Sequence, residues 1–120
     1  MPIQPVNAAA LNTWLESGDA VLVDVRDPQE YAAEHVPGAT LVPLGTVCCA
    51  KLPDYTGKKL VIMCKLGGRG GKACEKLAGE LPPRAVVYNL DGGIEAWKKA
   101  GLPVERAPRR GFMNWLTGRG

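Results

Sequence analysis

Several protein classes are excluded by what this chain lacks. No apolar run approaches the ~18 residues needed to span a bilayer. The N-terminus, MPIQPVNAAALNTW, has neither the basic region nor the long apolar stretch of a signal peptide, so it is expected to be retained. His35 is the only histidine, which leaves a Cys–His dyad a single candidate. Of the four cysteines, Cys48 and Cys49 are adjacent, and there is no C-x-x-C. Without further Cys or His at ligand spacing, no metal site is expected. Free thiols in a reducing, cytoplasmic compartment fit this usage better than disulfides. Charge of one sign is missing from the body: residues 1–104 carry 11 Lys/Arg against 11 Asp/Glu. With no basic field there, nucleic-acid binding is not expected. There is no internal repeat and no low-complexity tract.

What is present suits one domain. The 120 residues can form a single core but not two. Apolar content of 46% and charged content of 22% are ordinary globular values. Residues 1–104 read as the domain, and 105–120 as a basic tail holding Arg106, Arg109, Arg110 and Arg119 against Glu105.

The pattern predicts alternating strands and helices. Asn7 is placed to cap a helix over Ala8 to Ser17, with Leu11, Trp14 and Leu15 as its stripe and Gly18 ending it. Ala20 to Val25 reads as a strand covered on both faces. Pro28 begins a short helix over Gln29 to Glu34, which Val36-Pro37-Gly38 closes. Thr40 to Leu44 is a second strand, and a helical turn is expected near Val47 to Lys51. Leu60 to Met63 is the third strand. Pro82-Pro83 precedes a fourth strand, Ala85 to Leu90, and Gly92-Gly93 opens a last helix, Ile94 to Ala100. Such alternation implies a parallel sheet, whose ligands bind at the carboxyl ends of the strands. Asp24 with Arg26, Cys64 with its loop, and Asp91-Gly92-Gly93 all fall at that edge.

The chemistry concentrates in Leu60 to Gly71, LVIMCKLGGRGG. The strand runs into Cys64, then a loop with Gly67, Gly68, Arg69 and Gly70, then an amphipathic helix from Lys72 to Leu81. Cys74, Leu77, Ala78 and Leu81 lie at i, i+3, i+4 and i+7 of that helix. Such a loop can turn backbone N–H groups inward as an anion nest, with a helix N-terminus behind it. A cysteine there has its thiolate stabilised, and the thiolate is the reactive form.

These residues resemble the rhodanese-like sulfurtransferases in three ordered segments. Asp24-Val25-Arg26-Asp27-Pro28-Gln29-Glu30-Tyr31, continuing to His35-Val36-Pro37-Gly38-Ala39, is similar to the family's N-terminal signature. Cys64 to Gly70 is similar to its C-x-x-G-x-R-[SG] loop, and Leu90 to Trp97 to its L-x-G-G-[IV]-x-A-W signature. The resemblance spans about residues 5–104. It implies an α/β three-layer sandwich with a central parallel five-stranded sheet flanked by helices. It also implies an enzyme of the thiosulfate sulfurtransferase type that works without a cofactor. The Cys64 thiolate would take sulfane sulfur from thiosulfate or a persulfide, then pass it from a Cys64 persulfide to a thiol or cyanide.

On this reading Cys64 is catalytic, and Lys65, Leu66, Gly67, Gly68, Arg69 and Gly70 form the substrate cradle. The glycines let the backbone curl round the sulfur. Arg69 either binds the sulfonate end of a donor or braces the loop, and Lys65 sits at the mouth. Asp24, Arg26, His35, Asp91, Gly92 and Gly93 support the site. Cys74 is expected in the core. Cys48-Cys49 leaves open a redox or secondary sulfur-accepting role. The expected partners are a small sulfur-anion donor and a thiol acceptor, and the chain is expected to be a monomer.

Two other functions compete. A cysteine phosphatase or arsenate reductase on this scaffold would resemble H-C-x-x-x-x-x-R, but here four residues separate Cys64 from Arg69, and Met63 replaces the histidine. A non-catalytic binding or regulatory module is the other, although inactive relatives commonly lack the cysteine that this chain keeps. The tail interleaves Arg109-Arg110 with Phe112, Trp115 and Leu116, which suggests weak association with the inner face of a membrane. A terminus without a role is the competing reading.

Overall fold

The computed structural model describes residues 2–106. The aromatic and arginine pattern of the tail beyond Arg106, with its membrane expectation, lies outside the described residues. The elements are β1 (Ile3–Val6), α1 (Ala8–Glu16), β2 (Ala20–Asp24), α2 (Pro28–Ala33), β3 (Thr40–Leu41), β4 (Lys59–Met63), α3 (Gly68–Ala78), β5 (Val87–Leu90) and α4 (Gly93–Lys99). Short 3-10 turns at Leu44–Thr46 and Cys49–Lys51 bridge β3 and β4.

The strands form one parallel five-stranded sheet in the order β1-β5-β4-β2-β3. Apolar residues cover both faces, as a parallel sheet requires. Along β4 the side chains alternate. Leu60 and Ile62, with Cys64 beyond the strand's end, join Val23, Ala73, Cys74 and Leu77 under α3. Val61 and Met63 join Leu11, Leu22, Leu90, Ile94 and Trp97 under α1 and α4. Fully burying each large side chain contributes about 1.5–3 kcal/mol. The result is an α/β three-layer sandwich, with β4 at its centre.

The connections from the adjacent strands β2 and β4 leave in opposite directions. β2 runs through α2 to β3 on its outer side, and β4 through α3 to β5 on the other. This divergence opens a crevice at the carboxyl ends of β2 and β4, where ligands bind in open α/β sheets. Cys64 follows the end of β4, and Arg26 lies just past the end of β2.

Three elements differ from the sequence expectation. Residue patterning alone does not pick out β1, which holds Pro5 and pairs only with β5 at the sheet edge, where proline is tolerated. β3 keeps only two residues, because Leu44 leaves it for a 3-10 turn. The helix expected from Lys72 to Leu81 instead begins at Gly68 and ends at Ala78. Gly68, Gly70 and Gly71 are poor helix formers at up to ~1 kcal/mol each relative to Ala. Burial of Ala73, Cys74 and Leu77 against the sheet overrides that preference.

Candidate active site

The early start of α3 shortens the loop after Cys64 to Lys65, Leu66 and Gly67. Gly67 caps the helix with φ +114°, a left-handed conformation that L side chains rarely adopt. In that conformation its N–H donates to Cys64 Sγ at 3.0 Å. Cys64 itself is 1% exposed, whereas Leu66 at the loop tip is 67% exposed. Lys65 is also exposed, as expected for a residue at the mouth.

A second helix terminus holds the loop from the other side. The N–H groups of Ile94 and Glu95 at the start of α4 donate to the carbonyls of Cys64 and Lys65, at 2.8 and 3.2 Å. These are orphan first-turn amides, satisfied by the loop itself. The approach is so close that a Cβ on Gly93 would lie 2.4 Å from both carbonyl oxygens. A Cβ on Gly92 would meet the Ala96 Cβ at 2.7 Å. The adjacent Asp91 is exposed, and its N–H donates to Val6, tying β5 to β1.

Arg69 lies in the first turn of α3. Its guanidinium makes a bidentate pair with Glu30 of α2, at 2.7 and 3.0 Å. Of the two roles open to Arg69, this is the bracing arrangement. The Arg69 hydrogen bond, together with the Asp27 backbone N–H, overcomes the cost of partial burial and holds Glu30 at about 2, below the usual carboxylate range. The same pair pushes Arg69 upward. Glu30 also accepts the Asp27 N–H at the start of its own helix, so one carboxylate ties the start of α2 to the first turn of α3.

The supporting residues sit behind this layer. Asp24 and Arg26 form a fully buried pair at 2.7 Å, and Arg26 also donates to the Glu34 carbonyl. Breaking such a pair by removing one partner costs about 3–5 kcal/mol, since it strands a buried charge. His35 uses both ring nitrogens, Nδ1 on the Tyr31 carbonyl at 2.8 Å and Nε2 on Glu105 at 3.2 Å. It also stacks on Tyr31 with ring centroids 3.9 Å apart. His35 and Glu105 pair through their backbones too, so Glu105, assigned to the tail by charge, lies against the domain.

Gly70 differs from its expected role of curling round the sulfur. It lies in α3, and a Cβ there would sit 2.3 Å from Asn89 Oδ1 on β5. Asn89, which carries no motif in the sequence, donates through Nδ2 to the Gly67 carbonyl at 3.1 Å. Among the described residues its buried Oδ1 has no hydrogen-bond partner, a cost of about 1–3 kcal/mol. Glu30 was missed alongside it, because its partner is 39 residues away in sequence.

The remaining cysteines have different surroundings. Cys74 is buried, and burial above all pushes its thiol up to about 12. Cys49 is pushed up by burial and by Glu80, which disfavours the thiolate that a sulfur-accepting role would need. Beside Lys65 a groove of ≈ 790 Å³ opens between α2 and α4, with Glu30, Glu34, Lys98 and Arg106 on its walls. Lys98 pairs there with Glu34 and Glu95. No helix among the described residues is long and apolar enough to cross a membrane.

A strand-end cysteine in a glycine loop between two helix starts, on a five-stranded parallel sheet, defines a class. The chain belongs to the family of the rhodanese-like domain, whose family model matches residues 7–100. It is 35% identical over 103 residues to a sulfurtransferase of Allochromatium vinosum, covering 85% of this chain and 94% of that one. It is also 40% identical over 91 residues to an uncharacterised protein of Synechocystis sp., covering 75% of this chain. The chain spans 50% of that cyanobacterial relative's length. The solution structure of the rhodanese-like domain of an Anabaena protein superposes with TM-score 0.73 at 25% identity, covering 100% of this chain and 86% of that one.

Proposed function

We propose that this protein is a sulfurtransferase that carries sulfane sulfur as a persulfide on Cys64. The observation that carries the reading is the Gly67 N–H donated to Cys64 Sγ at 3.0 Å, at the base of a loop whose carbonyls approach Gly93 too closely for a side chain there. The Cys64 thiolate attacks the outer sulfur of thiosulfate. A new S–S bond forms as the donor's S–S bond breaks, and sulfite leaves with the electron pair. A thiolate acceptor then attacks the terminal sulfur of the persulfide. It leaves as its own persulfide, and Cys64 returns as thiolate. Cyanide replaces the thiol in an assay. The two half-reactions share one covalent intermediate, so ping-pong kinetics follow.

No general base is needed, because the nucleophile reacts as the anion. Lys65 at the rim attracts an anionic donor. Arg69 acts through Glu30, keeping the first turn of α3 against α2, and is not assigned to substrate. That commitment also weighs against a phosphatase, which needs its arginine free to clamp a tetrahedral oxyanion. The protein meets a small sulfur anion and a thiol as a cytoplasmic monomer.

Mass spectrometry after thiosulfate treatment tests this directly. One added sulfur on Cys64, lost on adding cyanide, is the expected result. Sulfur appearing on Cys48 or Cys49 instead, or phosphatase activity at or above the sulfur-transfer rate, overturns the reading.

A further inference from the structure

Glycine gives Gly67 the conformation the loop needs, but glycine also has the widest conformational freedom of any residue. The aim of its N–H at the sulfur therefore requires an external anchor. Asn89 supplies one. It lies on β5 in register with Ile62 of the central strand, and its Nδ2 donates to the Gly67 carbonyl at 3.1 Å. That carbonyl also accepts the Gly71 N–H at 2.9 Å, so the sheet and α3 grip it together. Gly67 is thus fixed at its carbonyl by Asn89 and presents its amide to Cys64 Sγ at 3.0 Å.

The arrangement has two costs that packing alone does not explain. Asn89 Oδ1 is buried with no partner among the described residues, whereas buried polar atoms are nearly always satisfied. The same atom also crowds residue 70, where a Cβ would lie 2.3 Å away and the Asn89 side chain would have to shift. An aliphatic residue at 89 would remove the orphaned acceptor, but would leave the Gly67 carbonyl without its side-chain donor. An aspartate would turn an acceptor toward that carbonyl.

We propose that Asn89 is a positioning residue for sulfur transfer, holding Gly67 so that its N–H stays aimed at the Cys64 sulfur in the free and sulfur-loaded forms. This rests on Cys64 being the sulfur carrier. Asn89→Ala and Asn89→Asp in the full chain test it through three measurements. These are thermal unfolding, the pH profile of Cys64 alkylation by iodoacetamide, and kcat and KM with thiosulfate.

Thermal stability of Asn89→Ala is expected near wild type, since one hydrogen bond and one orphaned acceptor leave together. Its Cys64 alkylation is expected to slow about threefold across the profile, because the sulfur anion loses a fixed donor. Its kcat is expected to fall about tenfold with KM nearly unchanged, the scale of one lost hydrogen bond, and Asn89→Asp to fall further. An unchanged alkylation curve and kcat in folded Asn89→Ala overturns the proposal. So does a loss of kcat that merely tracks lost stability. If Asn89→Ala does not fold, Asn89→Leu, which is close in size and carries no donor, is judged by the same criteria. Slowed alkylation in a protein whose wild type moves no sulfur would reject sulfur transfer while keeping Asn89's hold on the loop.

Discussion

Cys64 and Cys74 are equally hidden, at 1% and 0% exposure, and both lie under the α3 face of the sheet. What each sulfur meets is different. Cys64 accepts a backbone N–H at 3.0 Å, while Cys74 can only donate its S–H toward the Tyr88 carbonyl at 3.7 Å. Burial first, and then the nearby Cys64 and Glu75, pushes the Cys74 thiol up to about 12. Burial alone silences a thiol. A buried thiol can serve as a nucleophile when an N–H group is positioned to meet its charge.

The sharpest way to break this comparison is to exchange sulfur for oxygen at each position. Cys64→Ser is expected to drop thiosulfate-to-cyanide transfer to background, since an un-ionised hydroxyl is a poor sulfur nucleophile. Cys74→Ser is expected to retain most activity if it folds. Equal loss in two folded variants would show that the two sulfurs act together.

Next in size is the backbone that separates them. Gly93→Ala places a Cβ against the Cys64 and Lys65 carbonyls at a position with φ +60°. The loop must move or α4 must back away. A stability loss of about 3 kcal/mol or more is expected, the range of enforced backbone strain combined with overpacking. Chemical denaturation measures it, and Gly45→Ala, whose Cβ meets nothing within 4 Å, is the control. Equal effects would mean that the contact at Gly93 yields easily.

Much of this contrast was legible in the sequence. Cys64 at a strand end and Cys74 on a helical apolar stripe both follow from periodicity, and the three ordered motifs carried the family. Other parts depend on partners distant in the chain. β1 is an edge strand of four residues with a proline, so its identity comes from pairing with β5 some 80 residues later. The first turn of α3 was hidden by glycines that read as loop, which left the role of Arg69 open between donor binding and bracing. Asn89 carries no local signal, and Glu30, though it stands in the N-terminal motif, has its partner 39 residues away, so the role of each comes from what the fold brings to it.

The brace between Arg69 and Glu30 gives a smaller effect, set by pH. Glu30 titrates at about 2 in the folded protein, against an ordinary value of 4.5. A lowered carboxylate stabilises the fold above the ordinary value, and that contribution is lost as pH falls through the folded value. The window is therefore about pH 4.5 down to about 2. Side-chain exposures of 36% for Arg69 and 29% for Glu30 let solvent screen the pair, so about 1 kcal/mol or less is at stake. Wild type is expected to lose stability more steeply than Glu30→Gln across that window, by thermal unfolding in low salt. Parallel curves would mean the pair contributes nothing to the fold.

The smallest effect concerns Cys74 itself. Its folded thiol is raised from 9.0 to about 12, so the neutral form is favoured by the fold. The associated stability is fully present below about 9 and is lost as pH rises from there toward 12, because only the unfolded chain can ionise the thiol. Cys74→Ala removes a sulfur from a packed core and costs some stability at neutral pH, but it also removes this alkaline loss. The gap between wild type and Cys74→Ala is therefore expected to narrow steadily above pH 9. In the native wild type at pH 8, iodoacetamide is expected to label Cys64 and leave Cys74 unmodified, as read by peptide mass spectrometry. Labelling of Cys74 at a comparable rate would show that the core opens readily beneath α3, and burial would then not explain its silence.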